Sequence, residues 1–320
     1  MEEKLTEPSS TFCLPMKYLL PFFFAFFLSL FLVPHVRRAG LVLGALDVPD
    51  GGRHLHKRPT VRLGGAAIFL SFFVSLLLFC PIYHRTAAAL LIGGGIIFFC
   101  GVLDDVHGLS PLTKLFFQIA AAALALPVLG IPAELSLLSF SIPLPSVLGY
   151  VYGTYRFILY MNGVNFIDGI DGLCAGASLA AFFAFGITFF FHGDTAAGML
   201  AFLLFFSLLG FFPSNLSPAS LFMGDSGAQF LGLSLAVFSM TPIGGTVRTE
   251  TVFFMTLPAL DTFVSVGRRL LQGKSPFRAD RGHLHHLLMR VGLSSKEACK
   301  ILVFFAMGAA AVGLLLLLPS

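Results

Sequence analysis

Charged residues are scarce in this 320-residue sequence: they make up 11% of it, while 57% is hydrophobic. Soluble domains carry about 25% charged residues, so one globular core cannot bury this much apolar surface, and a lipid bilayer must solvate it. Tryptophan is absent, so an interfacial aromatic belt has only Phe and the six Tyr to draw on. The composition excludes a soluble protein. We expect the bilayer as a partner and no nucleic acid.

Paired cysteines are missing as well. The five cysteines are odd in number and form no Cys-x-x-Cys motif. Most of them lie in or beside apolar runs, where a free cysteine behaves as a small hydrophobic residue. We therefore predict neither disulfides nor a cysteine metal site.

Long apolar runs are what the chain has instead, and they predict an all-α polytopic membrane protein, because a spanning helix needs about 20 residues. The first run ends in Pro-His-Val-Arg-Arg without a small-residue cleavage site, which indicates a retained helix and not a signal peptide. The segment 135–145 is too short to span and suits a surface hairpin. No repeat or second domain is visible, so residues 1–320 form one predicted integral-membrane domain. About ten spans are predicted, at 14–33, 63–81, 87–103, 112–130, 147–166, 173–191, 195–212, 226–241, 248–271 and 300–318.

Lysine and arginine indicate how these spans are oriented. With the N-terminus outside, fifteen of the twenty Lys and Arg lie in inner loops: six in the first, Lys114 in the second and eight in the last. Four lie outside and Arg156 lies within a span. Because cytoplasmic loops carry such an excess, we predict that these loops face the cytoplasm. The same loops hold the polar clusters described next.

Two adjacent aspartates, Asp104 and Asp105, end the third span in GVLDDVHGLSPLTK. Adjacent carboxylates attract a hard divalent cation, or one of them serves as a base. The alternative is a purely structural cap, with Ser110 and Pro111 starting the next helix. Lys114 follows one turn later, within reach of a phosphate.

Asn162, Asn165, Asp168 and Asp171 recur every three residues in NGVNFIDGIDG. On a helix this spacing lines up oxygen ligands along one side, whereas a polar turn between spans is the alternative. Asp225 in SLFMGDSG is either a helix cap or a metal ligand.

The last inner loop carries three clustered histidines, His283, His285 and His286, among basic residues that suit phosphate binding. A zinc site there is conceivable, but magnesium and phosphate fit the surrounding acids and bases better. Glycines and cations of the first loop either cradle phosphate oxygens or anchor the loop to anionic lipid. Asp261, inside the ninth span, is either functional or paired with Arg156 or Arg268.

Aspartates, asparagines and cations on one face indicate magnesium-dependent chemistry on a diphosphate, which needs mainly positioning and charge neutralisation. Ten spans indicate that one substrate is a lipid. A transporter is less favoured because its ionisable residues belong near the membrane midplane. A non-catalytic scaffold is the third alternative.

Five segments of the chain form an ordered set of polar loops: LDVPDGGRHLHKRPTVRLGG, GVLDDVHGLSPLTK, NGVNFIDGIDGL, SLFMGDSG and PALDTFVSVGRRLLQGKSPFRADRGHLHHLL. In this order they resemble the signature loops of the polyprenyl-phosphate N-acetylhexosamine-1-phosphate transferases, glycosyltransferase family 4. The resemblance covers roughly residues 14–318, and the His-Leu-His-His form is more similar to the bacterial undecaprenyl-phosphate N-acetylglucosamine-1-phosphate transferases than to the phospho-MurNAc-pentapeptide translocases.

The resemblance implies transfer of N-acetylglucosamine 1-phosphate from UDP-GlcNAc to undecaprenyl phosphate in a bacterial inner membrane, with the site facing the cytoplasm. Another UDP-HexNAc or UDP-MurNAc-pentapeptide is the alternative donor, and a homodimer is compatible with it. It implies Mg²⁺, or alternatively Mn²⁺, on Asp225 and Asn165. Asp104 and Asp105 then engage or deprotonate the lipid phosphate, or help to hold the metal, while Asp168 and Asp171 orient the uridine or substrate. The remaining substrate-binding residues implied are Asp47, Arg62, Lys114, Asn162, Arg269, His283, His285 and His286.

Overall fold

The computed structural model describes residues 19–48, 59–137, 140–273 and 282–318, and these ranges are mostly helical. Two short antiparallel strand pairs accompany the helices: β1 (Leu46–Asp47) with β2 (Thr60–Val61), and β3 (Glu134–Leu137) with β4 (Phe140–Pro143). The helices are α1 (Leu19–Leu43), α2 (Gly65–Phe79), α3 (Arg85–His107), α4 (Pro111–Leu129), α5 (Ser146–Ile167), α6 (Leu173–Phe191), α7 (Thr195–Asn215), α8 (Gly224–Met240), α9 (Thr256–Leu271), α10 (Leu284–Arg290) and α11 (Ser295–Leu317).

Six helices within these ranges are long and apolar enough to cross a membrane: α1, α3, α4, α6, α7 and α11. The chain is therefore a multi-pass, all-α membrane protein, as its composition predicts. Helix α2 is apolar but has only 15 residues, which at 1.5 Å per residue falls short of a hydrocarbon core of about 30 Å. Helix α8 has 17 residues.

The hairpin predicted at 135–145 is confirmed by strands β3 and β4, and α6 covers the predicted run 173–191. Helix α1, however, does not stop at residue 33 but continues through Pro34 to Leu43. The added turns are held by packing, because Val36 and Gly40 are buried and a Cβ on Gly40 would lie 2.2 Å from Val61 in β2. A proline in the sequence was not enough to end this helix.

The predicted span 248–271 is not one continuous α-helix. Residues Thr249–Met255 form a 3₁₀ helix, and α9 begins at Thr256. Proline fits the first turn of an α-helix but not its interior, so Pro258 favours a helix start just before it. The Thr249 hydroxyl also donates a hydrogen bond to the Ser136 carbonyl at 2.6 Å, which ties the 3₁₀ helix to strand β3.

Helix α8 forms the centre of the core, since all its residues are buried. Glycines on its neighbours allow close approach: a Cβ added to Gly101 of α3 would lie 2.4 Å from the Ser226 Cα, and one added to Gly65 of α2 would lie 2.1 Å from the Gly227 amide nitrogen. Small residues at helix contacts let backbones pack this closely in membranes. The contact at Gly101 brings the end of α3 against the beginning of α8. We call this the site end, and the opposite end, where α3 and α7 begin, the far end.

Candidate active site

Asp105 holds the first turn of α8. Its Oδ1 accepts a hydrogen bond from the Asp225 amide at 2.8 Å, and its Oδ2 accepts one from the Ser226 amide at 3.0 Å. The first amides of a helix have no partner within the helix, and a carboxylate is favoured there by the helix dipole. The side chain of Asp105 is fully buried, and the Arg62 Nε lies 3.4 Å from its Oδ1. Asp105 thus fixes the backbone that carries Asp225.

Asp104 points to a different partner, the ammonium of Lys114. The Lys114 Nζ lies 2.6 Å from Asp104 Oδ2 and 2.6 Å from Asp225 Oδ2, so it bridges α3 and α8. Asp104 Oδ1 accepts from the Leu109 amide at 2.6 Å. Helix α4 starts as the sequence predicts, because the Ser110 hydroxyl accepts from the Thr113 amide at 3.1 Å.

The carboxylates of Asp104, Asp105 and Asp225 form one group, whose ligand atoms all lie within 4.8 Å of one another. We call these three residues the carboxylate group; all of them are buried. Hard divalent cations prefer carboxylate oxygens, and like charges this close need positive charge nearby. Lys114 and Arg62 supply part of that charge, so the group fits a divalent cation.

An amide network extends from Asp225 into the core. Its Oδ2 accepts from Asn165 Nδ2 at 3.4 Å and from Gln229 Nε2 at 3.3 Å. Gln118 donates to Gln229 Oε1 at 3.1 Å and receives a 2.9 Å hydrogen bond from the Asn162 amide group. Asn165 therefore contacts Asp225 directly, whereas Asn162 reaches it only through two glutamines. Neither glutamine belongs to a motif that the sequence singles out, although an amide side chain inside the apolar run of α4 is a signal for Gln118.

Of the four polar residues spaced by three in NGVNFIDGIDG, only Asn162 and Asn165 lie on a helix, since α5 ends at Ile167. The four side chains therefore do not line one helix face as the three-residue spacing predicts. Asp171 Oδ2 accepts from the Ala219 amide at 3.1 Å, in the loop that precedes α8. Gly172, with φ of +79°, turns the chain into α6; glycine adopts such angles readily.

Asp168 is half-buried, and its carboxylate accepts no hydrogen bond within the described ranges. Burial, together with the nearby carboxylates of Asp225 and Asp105, raises the pKa of Asp168 well above its usual range. For Arg62, burial and the neighbouring charges act on the pKa in opposite directions. Burial would lower its pKa, but Asp105, Asp225 and Asp47 raise it above the ordinary value. Asp47 lies in β1, near enough for its charge to contribute to this rise in the pKa of Arg62.

His283 is held by Asp261. Asp261 is fully buried in α9; its Oδ2 lies 2.6 Å from His283 Nδ1, and its Oδ1 accepts from the Leu284 amide at 2.6 Å. Among the described residues, Asp261 thus contacts His283 and the Leu284 amide at the segment that starts α10. Arg156 instead donates to the Tyr152 hydroxyl at 2.9 Å and the Thr251 hydroxyl at 3.2 Å.

The other residues of the last loop gather near the end of α5. The Arg269 guanidinium lies 5.6 Å from the Phe166 ring centroid. His285 packs against Gly169, where an added Cβ would lie 2.4 Å from its Nε2, and neither buried ring nitrogen has a hydrogen-bond partner among the residues that the structure describes. Burial and the neighbouring His286 and His283 lower the pKa of His285 to about 4, so the ring is neutral.

His286 lies beside His285, with ring centroids 4.2 Å apart. Over the ranges that the structure describes, the three histidines form no zinc-type cluster; the carboxylate group is the set that brings three ligand atoms together. The glycines and basic residues 49–58, suggested as a phosphate cradle or a lipid anchor, lie outside the described residues. So do the basic residues 274–281 of the last loop.

A multi-pass membrane protein with a buried, charge-compensated acidic site at one end of its helices is the class that this geometry defines. The sequence model of Glycosyl transferase family 4 matches residues 87–243. The chain is 31% identical over 294 residues to a probable undecaprenyl-phosphate N-acetylglucosaminyl 1-phosphate transferase of Bacillus subtilis, covering 87% of this chain and 78% of that protein. The chain belongs to glycosyltransferase family 4, which confirms the resemblance seen in its five motifs.

Two further relatives have the same kind of name. A decaprenyl-phosphate N-acetylglucosaminephosphotransferase of Mycolicibacterium smegmatis is 31% identical over 313 residues, with 87% of this chain and 76% of that protein covered. The undecaprenyl-phosphate alpha-N-acetylglucosaminyl 1-phosphate transferase of Escherichia coli K12 is 28% identical over 311 residues, with 90% and 81% covered.

Proposed function

We propose that this protein transfers N-acetylglucosamine 1-phosphate from UDP-GlcNAc to undecaprenyl phosphate. The observation that carries the proposal is the carboxylate group, which lies where α3 ends and α8 begins. We propose that a lipid headgroup and a soluble nucleotide meet at these helix ends. The names of the relatives support the donor and the acceptor. An oxygen of the lipid phosphate attacks the sugar-bearing phosphorus of the donor. A new P–O bond forms, the bond to the bridging oxygen breaks, and UMP leaves with that oxygen.

Mg²⁺ is the cofactor we assign to Asp225 and Asp104, with the Asn165 side chain beside them; Mn²⁺ suits the same ligands. When bound, the metal neutralises charge on the diphosphate. The Asp105 carboxylate accepts hydrogen bonds from two backbone amides of α8, so we assign it the role of orienting Asp225. We propose direct displacement without an aspartyl-phosphate intermediate. The carboxylates of Asp104 and Asp105 already make hydrogen bonds and ion pairs within the protein, which disfavours either of them as the nucleophile.

The cations and histidines are assigned to the donor. Lys114 and Arg62 balance the carboxylate group and lie where they can contact phosphate oxygens. Arg269 and the three histidines bind the diphosphate or the sugar from the side of α5. Asp168, half-exposed and without a hydrogen bond in the described structure, is free to orient the uridine, with Asp171 and Asn162 supporting the loop.

We also propose the complete topology. Residues 1–320 form one domain with ten spans, in which the run 63–81 that contains the short α2, together with α5, α8 and the 3₁₀–α9 unit, joins the six long apolar helices. The distribution of Lys and Arg supports a site end that faces the cytoplasm of a bacterial inner membrane. A homodimer is compatible with this arrangement. A transporter is disfavoured because the carboxylate group lies at helix ends and not at mid-membrane.

The function is tested with the detergent-purified full chain, undecaprenyl phosphate, Mg²⁺ and UDP-GlcNAc labelled in the sugar. We expect lipid-linked label and UMP in equal amounts, both abolished by EDTA. Competition with unlabelled UDP-MurNAc-pentapeptide and other UDP-HexNAc donors identifies the preferred sugar. Label on the protein itself, in the absence of lipid, would overturn direct displacement. Uptake of donor into proteoliposomes without any product would favour the transporter.

A further inference from the structure

Asp261 is an acidic residue of α9 whose contacts indicate a role beyond packing. It lies in the middle of α9 and is fully buried, where an unpaired carboxylate would be costly. Both of its oxygens are used at 2.6 Å, one by the His283 ring and one by the Leu284 amide. A single carboxylate thus orients a histidine and holds the first turn of the helix that follows it.

The geometry at the ring decides which nitrogen faces outward. His283 Nδ1 lies 2.6 Å from Asp261 and 3.2 Å from the Ser265 hydroxyl. A carboxylate accepts hydrogen bonds and cannot donate them, so the proton is held on Nδ1. The Nε2 atom makes no hydrogen bond to any residue that the structure describes, and it is available for a ligand.

The location of the ring connects it to the carboxylate group. The Phe166 ring lies 4.9 Å from the His283 ring, and Phe166 directly follows Asn165, whose amide contacts Asp225 at 3.4 Å. The Arg269 guanidinium lies 5.6 Å from the centroid of the same Phe166 ring. A donor whose diphosphate lies between Arg269 and the metal ligands therefore comes within reach of His283.

We propose that Asp261 is a positioning residue that fixes His283 with its proton on Nδ1 and directs Nε2 at the diphosphate of the nucleotide sugar. This inference rests on the proposed function for the identity of the ligand. A carboxylate behind a histidine sets its tautomer and orientation, and loss of such an orienting partner costs about 10- to 100-fold in function where histidines bind metals.

The test is Asp261→Asn, which keeps the size of the side chain. Its Oδ1 can still accept from the Leu284 amide, but its NH₂ group donates to Nδ1 and forces the proton onto Nε2. We expect kcat/KM for UDP-GlcNAc to fall about 10- to 100-fold. The double variant Asp261→Asn/His283→Ala should lose no more than His283→Ala alone, because residues that act as a unit are not additive.

Asp194→Asn at the far end is the matched control, with activity expected to be unchanged. Additive losses in the double variant, or full activity of Asp261→Asn, would overturn the proposal. A purely structural role of Asp261 predicts such additivity.

A second readout does not depend on the reaction. In ¹⁵N-histidine NMR spectra of the full chain, the His283 signal is identified as the one that disappears in His283→Ala. It should show a protonated Nδ1 in the wild type and a protonated Nε2 in Asp261→Asn. The same tautomer in both proteins would refute the positioning role. If the wild type shows the expected tautomer but transfers no label, the proposed function fails and the orientation of His283 stands.

Discussion

The two ends of the molecule treat their carboxylates differently. At the far end, Asp194 accepts from the Ala197 amide at 2.9 Å and lies 3.4 Å from His84 Nε2, so an ordinary helix cap satisfies it. At the site end, three carboxylates from α3 and α8 crowd within 4.8 Å. Their partners come from distant parts of the chain. Crowded like charges cost stability, and perturbed groups of this kind cluster at functional sites, so the difference marks the site end as the working end.

The largest expected effect is at Asp225, the residue that Lys114, Arg62 and Asn165 all contact. Asp225→Asn removes the charge that a metal needs, and we expect transfer to fall about 100- to 1,000-fold, as when a main electrostatic contact to the transition state is lost. The labelled-lipid assay measures this. Asp194→Asn provides the control, and a folded Asp225→Asn protein with normal turnover would remove the carboxylate group from the mechanism.

Variants of Asp105 test how much the hydrogen bonds to the start of α8 contribute to the stability of the fold. Asp105→Ala leaves the Asp225 and Ser226 amides without their acceptor, and leaving a buried donor unsatisfied costs about 1–3 kcal/mol. Asp105→Asn keeps one acceptor oxygen and should lose less. Thermal unfolding in detergent, with and without EDTA, gives the comparison. Equal stability of Asp105→Ala and wild type would mean that the contacts to the start of α8 carry little of the fold.

Lys114 occupies the space between Asp104 and Asp225, at 2.6 Å from each. Lys114→Met should therefore lower the melting temperature in EDTA, because the carboxylates lose their counter-charge. It should also strengthen Mg²⁺ binding, by about tenfold or roughly 1.4 kcal/mol. The increase in melting temperature with Mg²⁺ concentration reports this. Lys114→Arg is the charge-preserving control; an unchanged Mg²⁺ response of Lys114→Met would show that the ammonium does not compete with the metal.

The smallest effect is expected at the far end. Burial would raise the pKa of Asp194, but hydrogen bonds from His84 and the Ala197 amide outweigh it and lower that pKa. Its contribution is thus present above the unfolded pKa and is lost as pH falls through the folded value. Asp194→Ala should cost about 1 kcal/mol at neutral pH, and the cost should shrink below about pH 4. Unfolding of both proteins across this range measures it; a difference that grows with acidity would contradict the assignment, and transfer should not change.

Composition and motif spacing were sufficient for the class and for most helices, and the resemblance to the family loops implied that Asp104 and Asp225 belong to one site. They could not show that the neighbouring Asp105 serves the start of α8, because that contact joins residues 120 positions apart. Similarly, the pairing of Asp261 with His283 depends on how α9 and α10 pack. The continuation of α1 past Pro34 depends on Gly40 meeting Val61. Local sequence patterns thus predict the helices and strands, whereas the partner of each polar side chain depends on contacts between segments that are distant in the sequence.

Mn²⁺ binding followed by electron paramagnetic resonance shows whether the carboxylate group holds a divalent metal. We predict one tightly bound Mn²⁺ per wild-type chain, displaced by Mg²⁺, lost in Asp225→Asn and retained in Asp194→Asn. Equal binding by wild type and Asp225→Asn, with both proteins folded, would mean that the carboxylate group is not the metal site.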